Sequence, residues 1–160
     1  MRCGERYAAA VQVLGSGGPI PDDARASAGY LVWLDRKARL LVDAGGGVFL
    51  RFAESGARLE DLDAIAITHV HADHVADLPA LLKGGYFIER ERPLHILGPS
   101  GGPHFPSIAE LVRGMLDPTR GIYRYLSPYL EGGRGWFRTP VTTLEATSRV
   151  PASAQCRNCH

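Results

Sequence analysis

Ala64-Ile65-Ala66-Ile67-Thr68-His69-Val70-His71-Ala72-Asp73-His74 runs from a short apolar segment straight into three of the chain's six histidines and a carboxylate. Read as a strand, Ala64 to Thr68 delivers side chains to alternate faces, so His69 and His71 project to one side and can pinch a single cation. Asp73 and His74 follow the bend. As adjacent residues they point in different directions and suit a neighbouring cation better than the first one. Imidazole with carboxylate favours zinc, with iron or manganese as competitors.

Outward from this stretch, strands and helices interleave. Ala8 to Leu14 reads as a strand ended by the turn-forming Gly15-Ser16-Gly17-Gly18-Pro19-Ile20-Pro21. Tyr30 to Leu34 and Leu40 to Val42 read as a hairpin turned by Asp35 to Ala38. Asp43 and the glycines at 45, 46 and 47 break the sheet pattern, and Val48, Leu50, Phe52 and Ala53 line a helix that ends near Ser55 and Gly56. Leu59 and Leu62 make a short helical turn before Ala64. Leu78, Leu81 and Leu82 sit at helical spacing, with Gly84 and Gly85 as the expected stop. Leu94 to Leu97 is a strand, Ile108 to Met115 a helix and Val141 to Ala146 a last strand. The class is α/β or α+β, without repeat or linker.

Val13 to Pro21 (VLGSGGPIP), Leu41 to Gly46 (LVDAGG), Ile67 to His74 (ITHVHADH) and Asp77 to Leu82 (DLPALL) stand in an order that resembles the metallo-β-lactamase-fold hydrolases. The ribonuclease Z and phosphodiesterase-like branch is the nearest likeness, over roughly residues 8 to 147. The resemblance implies the N-terminal part of an αββα sandwich of mixed sheets with outer helices, and two zinc ions at one edge. It makes His69 and His71 ligands of the first metal, and Asp73 and His74 ligands of the second. Asp43 matches the acidic residue that supports the metal loop from behind; a helix N-cap on the glycine turn is the other role open to it. The implied chemistry is attack of a metal-activated water on a phosphodiester or ester, with Asp73 orienting the nucleophile.

The departures are equally specific. Ser148 stands where the family carries a third histidine, ahead of Val150-Pro151-Ala152, and the chain reaches His160 without the family's later Asp and His. The sequence therefore reads as an incomplete domain over 1–147 with a divergent tail over 148–160. Two functions follow: a zinc-dependent phosphodiesterase acting on RNA or a small phosphodiester, or an inactive remnant with at most a partial metal site. An exposed inner sheet face would drive self-association or homo-oligomer formation.

Other features yield less. Lys and Arg number 18 against 17 Asp and Glu, a formal charge of +1, so no basic footprint announces nucleic acid or an anionic membrane. No apolar run is long enough to span a bilayer, and the N-terminus reads as unprocessed and cytoplasmic. Three cysteines make no disulfide framework. Cys156 to His160 spells CRNCH, the spacing for covalent haem attachment, but at the extreme end it reads as a disordered tail or an adventitious metal trap. Gly15 to Gly18 does not open a dinucleotide fold, because Pro19 and Pro21 favour extended backbone over a helix start. The loop reads instead as lying beside the metal residues or as a plain tight turn. His95 alternates with Leu94 and Ile96 and reads as a strand histidine, His104 as a surface loop residue, and Trp136 and Phe137 as core or subunit contact.

Overall fold

A computed structural model describes residues 8–133 and 135–145; Ser148, Val150 to Ala152 and the CRNCH segment lie outside the described residues. Six strands form one mixed sheet in chain order: β1 (Ala9–Gly15), β2 (Gly29–Leu34), β3 (Lys37–Val42), β4 (Ala64–Ala66), β5 (His95–Pro99) and β6 (Val141–Leu144). The first three are antiparallel, and β3 through β6 are parallel. Five helices join them: α1 (Val48–Glu54), α2 (Ala72–Val75), α3 (Leu78–Gly85), α4 (Ile108–Leu116) and α5 (Pro128–Glu131). No helix among the described residues is long and apolar enough to cross a membrane.

The β2–β3 hairpin is tighter than expected. Lys37 and Ala38 already pair with Leu34 and Trp33, so only Asp35 and Arg36 turn the chain, both at positive φ (47° and 66°). That is the backbone of a two-residue type I′ turn, whose twist matches the flanking strands. Past β3 the strands are parallel, so each return needs a crossover. Crossovers of one hand advancing in one direction along a sheet lay their helices on one face.

That face is the core. Leu31, Leu41, Ile65 and Ile96 are fully buried on successive strands. Two glycines admit the helices: a Cβ on Gly29 would strike Val48 of α1, and one on Gly98 would strike Ile108 of α4. The other face is also largely apolar, and no helix among the described residues covers it. Register aligns Val11, Val32, Leu40 and Ala64 in one row and Val13, Tyr30, Val42, Ala66 and Leu97 in the next. Val11 is 68% and Val13 58% exposed. His95 follows the alternation read from the sequence, exposed between buried Leu94 and Ile96. Phe137 is core, with Trp136 packed against it.

Several boundaries differ from the sequence reading, β5 running His95–Pro99 and β6 ending at Leu144 among them, and two of the shifts have a clear cause. β4 ends at Ala66, because Thr68 leaves the ladder to hydrogen-bond Asp43. Gly84 and Gly85 do not stop α3, which runs through Gly85 to a cap at Tyr86. Their small size serves packing instead: a Cβ on Gly85 would lie 2.9 Å from the Phe137 ring, and one on Gly84 3.2 Å from Phe49. Helix α5, begun by Pro128, is too short to leave a periodic signal in the sequence.

A single guanidinium fastens the entry to β4. Arg90 donates to the carbonyls of Leu59, Glu60, Leu62, Arg92 and Pro93, at 2.6–2.9 Å. Burial pulls its pKa below the ordinary guanidinium value, yet five carbonyl partners keep the cation in place. Lysine cannot reproduce that fork. Arg90→Ala is expected to lower unfolding free energy by about 3 kcal/mol and Arg90→Lys by somewhat less. Urea denaturation measures both; a loss under about 1 kcal/mol for Arg90→Ala would show that the carbonyls are satisfied without it.

Candidate metal centre

Strands β3, β4 and β5 run parallel, so the segments after Val42, Ala66 and Pro99 leave the sheet at one edge. In open α/β sheets this carboxyl edge is where ligands bind. Asp43, the first residue beyond β3, has φ of 60°, a left-handed conformation that aspartate tolerates better than most side chains. Its N–H still pairs with the Ala66 carbonyl at 2.8 Å, while its side chain turns under the histidine segment.

The carboxylate of Asp43 is 2% exposed and fully engaged. It accepts from the Thr68 N–H at 2.8 Å, from the Thr68 hydroxyl at 2.9–3.0 Å and from His74 Nδ1 at 2.8 Å. An ionised carboxylate only accepts, so the proton on His74 sits on Nδ1 and Nε2 keeps its lone pair. Thr68 extends the relay. Its hydroxyl proton is given to Asp43, so it can only accept from His69 Nδ1, 3.1 Å away, which leaves His69 Nε2 unprotonated as well. One buried anion thereby sets the tautomers of two imidazoles.

The remaining ring nitrogens and the Asp73 carboxylate approach in pairs, and with His69 Nε2 unprotonated it is His71 Nδ1 that donates between the first two rings. His69 Nε2 lies 3.1 Å from His71 Nδ1, and His74 Nε2 lies 3.5 Å from Asp73 Oδ2. Neighbouring ligand atoms on a tetrahedral zinc stand about 3.3 Å apart, so both pairs have chelating separation. The His69 ring also lies 3.9 Å from that of His74, which brings the pairs together. Among the described residues no three of these groups enclose a common point. The donors suit a divalent metal in kind and pair spacing, but each pair falls one short of the three protein ligands usual at a catalytic zinc.

The sequence expectation that His69 and His71 alternate on a strand is corrected. Both lie past β4 in extended, non-strand backbone, and the Asp43 relay and the tight start of α2 bring them together. Asp43 is not the cap of α1 either; that position is Gly47, and the Phe49 N–H is satisfied from a distance by Asp77 Oδ2 at 2.8 Å. Thr68 and Asp77 were not singled out from the sequence. Thr68 adjoins the first histidine and Asp77 opens the DLPALL segment, the only signals available. It is the glycine run after β3 that packs beside the histidine segment: a Cβ on Gly45 would lie 2.1 Å from the Asp73 carbonyl, whereas Gly15 and Gly17 of the loop after β1 lie against the Arg25 to Ser27 backbone. On the opposite flank, His69 and His71 border a cavity of about 240 Å³ whose far wall includes Phe105.

Comparison with known proteins gives the family and the fold. A family model described as the metallo-beta-lactamase superfamily matches residues 22–145. The chain belongs to that superfamily. A ribonuclease Z of Mycobacterium sp. (strain KMS) is 42% identical over 108 residues, covering 66% of this chain and 35% of that protein. One from Mycolicibacterium paratuberculosis is 40% identical over 113 residues, 69% of this chain and 38% of that one. The chain thus spans little more than a third of the curated relatives it matches. The short form of human tRNase Z superposes with a TM-score of 0.61 at 23% identity, covering 86% of this chain and 45% of that one. The metallo-β-lactamase-fold protein YhfI of Bacillus subtilis gives 0.55 at 24%, over 84% and 45%. These two structures support the fold.

Asp43→Asn keeps a residue tolerant of positive φ but turns one acceptor oxygen into a donor facing other donors. The substitution is expected to cost about 2–3 kcal/mol by denaturant titration, and to shift ¹⁵N-histidine spectra of His69 and His74 from the Nδ1–H tautomer. Unchanged imidazole ¹⁵N shifts would remove Asp43 from that role.

Proposed function

We propose that this domain is the ligand-bearing part of a metal-dependent phosphodiesterase related to ribonuclease Z, acting on RNA or a small phosphodiester in the cytoplasm. The observation that carries the reading is the relay from Asp43. It holds His69 and His74 with Nε2 free and leaves two donor pairs at chelating distance. In this reading His69 and His71 hold one zinc, Asp73 and His74 a second, with iron or manganese as competitors. Such ions supply Lewis acidity toward a phosphoryl oxygen and lower the pKa of a water. The chain's own residues do the positioning. Asp43 and Thr68 fix imidazole orientation, and Asp73 is placed to orient the attacking water. In this reading residues 1–147 belong to an incomplete domain of the family and 148–160 to a divergent tail.

A second reading, an inactive remnant with a partial site, is favoured by the missing third donor of each pair among the described residues. The two differ in metal retention. Dialysed chain is expected to keep zinc near two equivalents by mass spectrometry and to turn over bis(p-nitrophenyl) phosphate, and His69→Ala to weaken zinc binding by at least about a hundredfold. Chain that emerges free of metal supports the remnant.

The uncovered apolar sheet face supports self-association. Its rows carry Val, Leu, Ala and Tyr, and contiguous apolar surface of this kind is rare on monomers. Sedimentation is expected to show dimers or larger species, shifted toward monomer by Val11→Lys with Val13→Lys. A wild-type monomer at high concentration would oppose it.

A further inference from the structure

The geometry points to a stacking subsite for one nucleobase, formed by Phe105 over the cavity beside His69 and His71. The inference rests on the phosphodiesterase reading and adds what the substrate must carry next to its scissile phosphate. The cavity is bordered by His69, His71, Val70, Pro99, Phe105 and Pro106, with glycine backbone between the prolines, and holds about 240 Å³. That is below the roughly 300–1,000 Å³ of sites that enclose a drug-sized ligand, and suits a single planar ring system. Apart from the two imidazoles, none of these side chains is charged or bears a hydrogen-bonding group. The site can therefore grip a ring by its faces but cannot read its edges.

Phe105 needs an explanation of its own. It is 51% exposed and lies outside the buried core, yet it is held in place. The Gly102 N–H donates to the Phe105 carbonyl at 2.9 Å and the Phe105 N–H to the Gly102 carbonyl at 3.4 Å, closing a tight turn. Gly101, at φ of 86°, presses against the Ser107 backbone, where a Cβ would lie 2.6 Å from the Ser107 nitrogen. Ser107 caps α4 in a reciprocal pair with Glu110, whose carboxyl is held below its ordinary pKa by the Ser107 N–H and hydroxyl. A helix cap thus anchors the loop, and the ring stands 5.0 Å from the His71 ring, nearly edge-on to it at 67°. A half-exposed aromatic ring on a loop anchored through its backbone, beside two candidate metal ligands, is suited to serve as a stacking platform. Stacking on such a face is tolerant of base identity, because every base has a π-face.

The test titrates ¹⁵N-labelled chain, with zinc present, against adenosine 5′-monophosphate, uridine 5′-monophosphate and ribose 5-phosphate. Both nucleotides are expected to bind about tenfold or more tighter than ribose 5-phosphate, to perturb the Gly101, Gly102 and Phe105 amides, and to differ little from each other. Phe105→Leu, which keeps apolar bulk without an aromatic face, should erase the advantage; Phe105→Trp should keep it, and both spectra report whether the fold persists. Equal affinity for ribose 5-phosphate, no detectable nucleotide binding, or no effect of Phe105→Leu overturns the subsite. Zinc retention read on the same samples separates the two ideas. A ring advantage without bound zinc sinks the metal reading alone, and bound zinc without a ring advantage sinks the subsite alone.

Discussion

A carboxylate withdrawn from water has to be compensated, and the Asp43 side chain is the point at which this fold meets that demand. An unpaired buried anion costs several kcal/mol, so the oxygens of Asp43 dictate where donors must lie. Those donors are the Thr68 N–H, the Thr68 hydroxyl and His74 Nδ1. Together with the Ala44 N–H to His74 carbonyl bond and the Asp77 N–H to Ala44 carbonyl bond, they stitch the loop after β3 to the loop after β4. The same bonds end β4 early, give Thr68 its turn and settle which nitrogen of each imidazole is free. Sheet topology brings the two loops to one edge; the buried charge makes that edge specific.

The sheet makes different demands on its two faces. The helix-covered face is closed by glycines where α1 and α4 come nearest and by Gly85 where α3 meets Phe137. Substitution there meets the side chains of Val48, Ile108 and Phe137. The other face carries rows of Val, Leu, Ala and Tyr that no helix among the described residues covers, although half-buried alternation predicts polar residues on an exposed face. The sequence is written for a sheet covered on both sides.

The sequence was informative where the physics is local. Strand alternation placed His95 correctly, the positions of Leu78, Leu81 and Leu82 marked α3, and four residues out of six within 69–74 marked the candidate site. It was less informative where long-range contacts decide. Glycine at 84 and 85 has two meanings, helix stop or close packing, and only the positions of Phe49 and Phe137 distinguish them. An aspartate before a glycine run looks like a cap until its left-handed φ turns it toward Thr68, twenty-five residues on. Phe105 carried no sequence signal, since an aromatic residue between prolines and glycines is commonly just a loop residue. Its significance comes from the His71 ring beside it.

Preorganisation and completeness are separate properties of the candidate metal residues. The tautomers of His69 and His74 are set by hydrogen bonds to Thr68 and Asp43 inside the protein, so the orientation of these two rings does not depend on any further ligand. A third donor would change how tightly an ion is held and how many positions stay open for water and substrate. It would not need to reorient what is already aimed. Outer partners of this type raise the basicity of the imidazoles they orient, and the ordering entropy of those rings is met in folding rather than in metal binding. Such a half-site can therefore hold its geometry ahead of its ion, and the residues behind the ligands, Asp43 and Thr68, determine that geometry as fully as the ligands themselves.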